Sequence, residues 1–222
     1  MANGNATSSL SVSRLILVPA LITLGITILR LVGEMQHWSR VLFNPSAGGG
    51  AAIVGIAWLP FIFGPYFALK WARAGDGPSS AGKVIGFAVL GLVLMILGGF
   101  AFAPQIHFPG KMLLGLLLFA AGAAVPFLPW PVLAKTLLAY GYAARIPVAI
   151  VMFFAIRGSW GTHYDVLPPN YTGPMDFWGR YFEIGLLPQL VFWVAYTVVL
   201  GSLCGGIAAV LKGRGRSVAP AG

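Results

Sequence analysis

Residues 14–37, RLILVPALITLGITILRLVGEMQH, decide how this chain folds. Between Leu15 and Val32 the run is apolar except for Pro19, Gly25, Thr23, Thr27 and Arg30. About 20 such residues are enough to carry a helix across the hydrocarbon of a bilayer. The exceptions have a period. Thr23, Thr27, Arg30, Glu34 and His37 follow one another at intervals of four, three, four and three, which places them on one helix face. A polar stripe on a membrane helix must turn toward other helices or toward water. It is therefore either a packing stripe, with Arg30 paired to Glu34 one turn on, or the wall of a cavity that opens outward.

Working outward, further apolar windows fall at 51–70, 84–103, 112–129, 132–156 and 184–211, giving an all-α polytopic membrane protein of about six transmembrane helices. Pro126, Pro129 and Pro131 in the run PFLPWP break the fourth window from the fifth with a tight turn. Composition agrees: the 222 residues are 58% hydrophobic and 9% charged, with a mean hydropathy of +0.86, where soluble domains carry roughly 25% charged residues. Most soluble-enzyme classes are excluded. The expected layout is a disordered tail over 1–13, a single membrane domain over 14–212 with an outer loop at 158–182, and a basic tail over 213–222. The lipid bilayer is the first partner this implies.

The net charge of +9 would suggest nucleic acid in a soluble protein; here it reads as positive-inside flanks, and no nucleic acid partner is expected. Arg14, Lys70, Arg73, Lys83, Lys135, Lys212, Arg214 and Arg216 fall on one side, against Arg30, Arg40, Lys111, Arg157 and Arg180 on the other. Eight against five gives an N-in, C-in orientation. Richness in alanine and glycine points to a bacterial inner membrane. Cys204 is the one cysteine, which excludes an internal disulfide and a thiolate metal cluster.

Once oriented, the chain carries Glu34, Asp165, Asp176, Glu183 and all three histidines on its outer side, with Asp76 alone inside. Function is expected there. His37, Arg40, His163 and Asp165 form an outer polar cluster, and His37, His107 and His163 are the candidate metal ligands, although no HxxxH or HExxH spacing supports them. Asp176, Arg180 and Glu183 share one face if Pro174 opens a helix leading into the sixth span. The segment Asn44-Pro45-Ser46-Ala47-Gly48-Gly49-Gly50 is either a flexible turn or a set of backbone N–H groups that could hold an anion.

Arg145 is the second anomaly. It lies ten residues after Lys135 and twelve before Arg157, hence about 15 and 18 Å from them along a helix. That is mid-bilayer, where a cation needs a partner. No acidic residue is expected at its depth, so it is held either by backbone, water and the nearby Tyr140 and Tyr142, or by an anionic ligand.

Arg145, Arg30, Glu34, Thr27 and Tyr142 are accordingly the expected ligand-binding residues. No catalytic residue and no cofactor is assigned, and the balance is toward a non-enzymatic role. Proline-interrupted second and fifth spans favour transport or binding of a small anionic or lipid-like ligand. The alternatives are an accessory subunit of a membrane complex, packing against other subunits through the small-residue stripe Gly201, Gly205 and Ala209, and a metalloenzyme with an outer histidine site.

Overall fold

A computed structural model describes residues 10–50, 52–103, 105–169 and 171–217, with side chains as far as Lys212. Expectations for residues 1–9 and 218–222 lie outside the described residues. Among the described residues there is no strand, and six helices account for the fold.

Helix α1 (Val12–Met35) opens two residues before the apolar run, because Ser11 caps it by accepting the Arg14 N–H at 3.4 Å. Helix α2 (Pro60–Arg73) and helix α5 (Pro131–Gly158) both open on proline, whose missing N–H costs nothing at a first helical position. Helix α3 (Ala81–Ala101) is capped by Ser80. Helix α4 (Lys111–Ala124) tightens into a 3₁₀ turn at Val125–Phe127. Helix α6 is continuous over Phe177–Lys212, with its regular α-helical part at Trp193–Ser217.

Four of these, α1, α3, α5 and α6, are long and apolar enough to cross a membrane, consistent with a helical membrane protein. The apolar window at 51–70 becomes a helix only from Pro60. Gly48, Gly49 and Gly50 all have positive φ, and the chain from 52 to 59 has no regular helix although its side chains are apolar. It forms a wall of the cavity described below, ahead of helix α2.

Helix α6 is the hub, packing against α2, α3, α4 and α5, while α1 joins the bundle through α5. Glycine permits the closest approaches. A methyl group added at Gly64 of α2 would collide with the carbonyl of Gly201 on α6. One at Gly205 would meet Ala68 and Leu133 at 3.0 and 3.1 Å. The stripe of Gly201 and Gly205 is thus occupied inside the chain, and Ala209 packs beside the same core.

The two ends of the bundle differ. At the end holding the start of α1, Trp71 Nε1 donates to Thr136 Oγ1 at 2.9 Å and Trp130 Nε1 donates to the Asp76 carbonyl at 2.7 Å. Phe63, Phe67 and Tyr140 fill the layer above with edge-on contacts at 5.3 and 5.5 Å. That end is closed. The opposite end, formed by the 36–59 segment, the 159–176 loop and the start of α6, encloses a cavity.

Candidate functional site

The cavity has a volume of about 640 Å³. Ile56, Phe119, Val148, Met152 and Phe192 make its wall largely apolar, and Arg30, Arg145, His163, Glu183 and Gln189 are the polar residues that matter on it. Pockets for small molecules have this character: apolar walls and a few placed polar groups.

One cluster is built on the stripe of α1. Thr23 and Thr27 are buried and donate to the carbonyls four residues before them at 2.8 and 2.9 Å. Thr23 Oγ1 also meets Tyr140 Oη of α5 at 2.8 Å. Above them, Arg30 Nε donates to Glu34 Oε1 at 2.8 Å, and the Glu34 side chain has no exposed surface. Arg30 Nη2 donates to the carbonyls of Asn44 and Gly49 at 3.3 and 2.9 Å. The glycine-rich segment therefore presents carbonyl oxygens to a cation. Of the two readings of this segment, the turn is the one seen here, and its Ala47–Gly49 turn aims the Gly49 carbonyl at Arg30.

His163 completes the cluster from the 159–176 loop. Its backbone N–H donates to Glu34 Oε2 at 2.9 Å, and its Nδ1 lies 2.8 Å from the same oxygen. The carboxylate can only accept, so the ring donates through Nδ1–H and Nε2 is left free. Burial holds the His163 pKa below its ordinary 6.5, with Arg30 pushing the same way and Glu34 and Asp165 opposing. The imidazole is neutral at physiological pH. Tyr164 beside it donates to the Thr27 carbonyl at 3.3 Å, and burial raises its phenol well above the ordinary range.

Arg145 has a different environment. It is only 5% exposed. Nη1 donates to Gln189 Oε1 at 3.3 Å, and the guanidinium carbon sits 4.5 Å from the Trp193 ring centre. No carboxylate among the described residues lies within ion-pair distance of it. Gln189 is presented by an irregular stretch of α6, where π-helical turns run over Tyr181–Leu186 and Pro188–Phe192. Proline at 188 cannot donate into the helix ladder, which loosens the turn. Such widened turns concentrate at functional sites.

Other expected site residues fall elsewhere. Tyr142 is 41% exposed on the outside of the bundle and takes no part in the cavity. Asp165 is turned into its own loop, accepting from the N–H groups of Gly161 and Thr162 and from the Thr162 hydroxyl at 2.9, 2.8 and 2.7 Å. His37, at φ 53 after α1, and Arg40 are exposed and border a separate small depression beside Glu34. His107 is exposed and bonded to its neighbour's carbonyl, Gln105, at 3.1 Å. The three histidines sit on three separate segments and do not converge; among the described residues no group of three His, Cys, Asp or Glu is placed to hold a metal.

Asp176, Arg180 and Glu183 also act separately. Asp176 caps α6 through the Gly179 N–H at 2.9 Å, Arg180 donates to the Ile156 carbonyl at 3.3 Å, and Glu183 accepts from Tyr171 at 3.1 Å. Gln189 and Trp193 are the site residues that sequence reasoning missed. The available signal was a lone amide in an otherwise apolar run after a proline. No known protein family, characterised protein or solved structure matches the chain.

Proposed function

We propose that this protein crosses the bacterial inner membrane six times, N-in and C-in, and binds a small anionic, lipid-like ligand for transport from its outward-facing cavity. One observation carries the reading: Arg145 is a buried cation on an apolar cavity wall, with a neutral amide and an indole as partners. A guanidinium cannot shed its proton at physiological pH, and leaving it without an anion in a desolvated place is costly. A bound oxyanion would supply the missing charge, and the apolar wall would take the rest of the molecule. An accessory-subunit role has less support, because Gly201 and Gly205 already pack within the chain.

The tryptophans on the cavity wall, Trp58 and Trp193, make a test possible. In detergent, cis-parinaric acid should quench tryptophan fluorescence saturably in the wild type by energy transfer, and Arg145→Met should abolish that saturation while remaining folded. Equal quenching in both proteins would end the proposal. Uptake of labelled oleate into proteoliposomes then separates transport from simple binding.

A further inference from the structure

Deepening that reading, and resting on it, we infer that the ligand's head group is a single-charged oxyanion gripped by two arginines at once, Arg145 from α5 and the free prong of Arg30 from α1. The hydrogen bond between Thr23 and Tyr140 sets the register of α1 against α5. Arg30 lies seven residues beyond Thr23 and Arg145 five beyond Tyr140, which is about 10 and 8 Å along the respective helices. The two helices run the same way: Leu31 packs in one cluster with Val148 and Met152, and Ile26 in another with Ala144. The backbone positions of the two arginines are therefore nearly level. Both belong to the same cavity wall.

Arg30 is committed through Nε and Nη2, to Glu34 and to two carbonyls, but its Nη1 has no partner among the described residues. Nη1 lies beside the cavity-wall residue Gly55, where an added methyl group would come within 2.9 Å of it. The Glu34 and His163 interactions fix this prong instead of saturating it.

Charge on the wall sets the valence. Arg30 is cancelled by Glu34, and Glu183 is engaged by the Tyr171 hydroxyl, not by an arginine. Arg145 is the cation on this wall that has no carboxylate partner among the described residues. A head group with one negative charge and two free oxygens satisfies both arginines, and two chemistries qualify, a lipid phosphodiester and a long-chain carboxylate. A multiply charged free phosphate suits the site less, since it leaves the apolar wall empty and overshoots the charge.

The test measures apparent dissociation constants in detergent for short-chain phosphatidylglycerol, oleate and inorganic phosphate. Arg30→Lys keeps the pair with Glu34 but loses the second prong; the double variant R30Q/E34Q stays neutral and avoids a stranded carboxylate. Each should weaken the preferred chain-bearing probe about 10- to 100-fold, as loss of one charge-assisted hydrogen bond implies, with melting lowered less than in Arg30→Met and the protein still folded at the assay temperature. Whichever of phosphatidylglycerol and oleate binds the wild type more tightly identifies the head group. Wild-type affinity in both Arg30 variants, with Arg145→Met still defective, would overturn the two-arginine grip and leave the proposed function standing. Wild-type affinity in Arg145→Met, or inorganic phosphate binding as tightly as the lipids, would overturn both.

Discussion

Arg30 and Arg145 line the same cavity at nearly the same height, yet the protein treats them in opposite ways. Arg30 receives a carboxylate and two backbone carbonyls, and its carboxylate partner is held in turn by the backbone N–H and Nδ1 of His163. Arg145 is more deeply buried and receives one amide oxygen and a ring face. Depth alone does not explain the contrast, since a membrane interior penalises both. The difference separates a charge installed to hold structure from one left open. The Arg30 cluster ties α1 to the 44–49 turn and to the 159–176 loop, which shapes the cavity mouth. Arg145 ties nothing comparable together.

The sharpest way to break this contrast is to remove each side chain's charge and compare stability. Arg30→Met strands Glu34, whose side chain is fully enclosed, and should cost about 2–4 kcal/mol in thermal or denaturant unfolding. Arg145→Met should cost little or raise the melting point, since an apolar chain replaces an uncompensated charge. Equal losses would mean that both arginines are structural. A smaller effect is expected at Gln189, the sole hydrogen-bond acceptor of Arg145 among the described residues. Gln189→Leu should destabilise by about 1 kcal/mol, and a bound anion should restore the loss. Unaffected melting in Gln189→Leu, with or without the anion, would remove the amide from the account.

The smallest effect concerns pH. Because burial keeps His163 below its ordinary 6.5, the unfolded chain takes up a proton that the folded chain resists as pH falls through that value. Stability from this source is complete above 6.5 and declines below it. Melting points recorded from about pH 8 to pH 5 should fall on the acid side in wild type and fall less in His163→Gln. Identical slopes would mean that His163 is as free in the folded protein as in the unfolded one.

The sequence made some of this legible for a clear physical reason. Helical periodicity is a strong signal when polar residues are rare, so Thr23, Thr27, Arg30 and Glu34 could be placed on one face, and Arg145 could be given a depth by counting along the helix. The aromatic and proline-rich 158–182 region was recognisable as a loop, but its attachment to Glu34 through His163 spans 129 positions and leaves no local trace. Hydropathy misread 52–59, since an apolar wall segment and an apolar helix have the same composition and only the glycines at 48, 49, 50 and 55 hint at the difference. Tyr142 was assigned to the site by nearness in sequence to Arg145, whereas its ring faces outward. Gln189 carries no charge, and a neutral amide gives no alarm in a hydropathy scan.

The central claim is that Arg145 is compensated by a bound anion and not by the protein. Native mass spectrometry of the protein released gently from detergent tests it most directly, because it counts retained small molecules on a folded chain. The wild type should carry one anionic amphiphile, identifiable by its mass as a phosphodiester or a carboxylate, and folded Arg145→Met should carry none. A wild type that flies bare, or an Arg145→Met protein that retains the same adduct, would contradict the account.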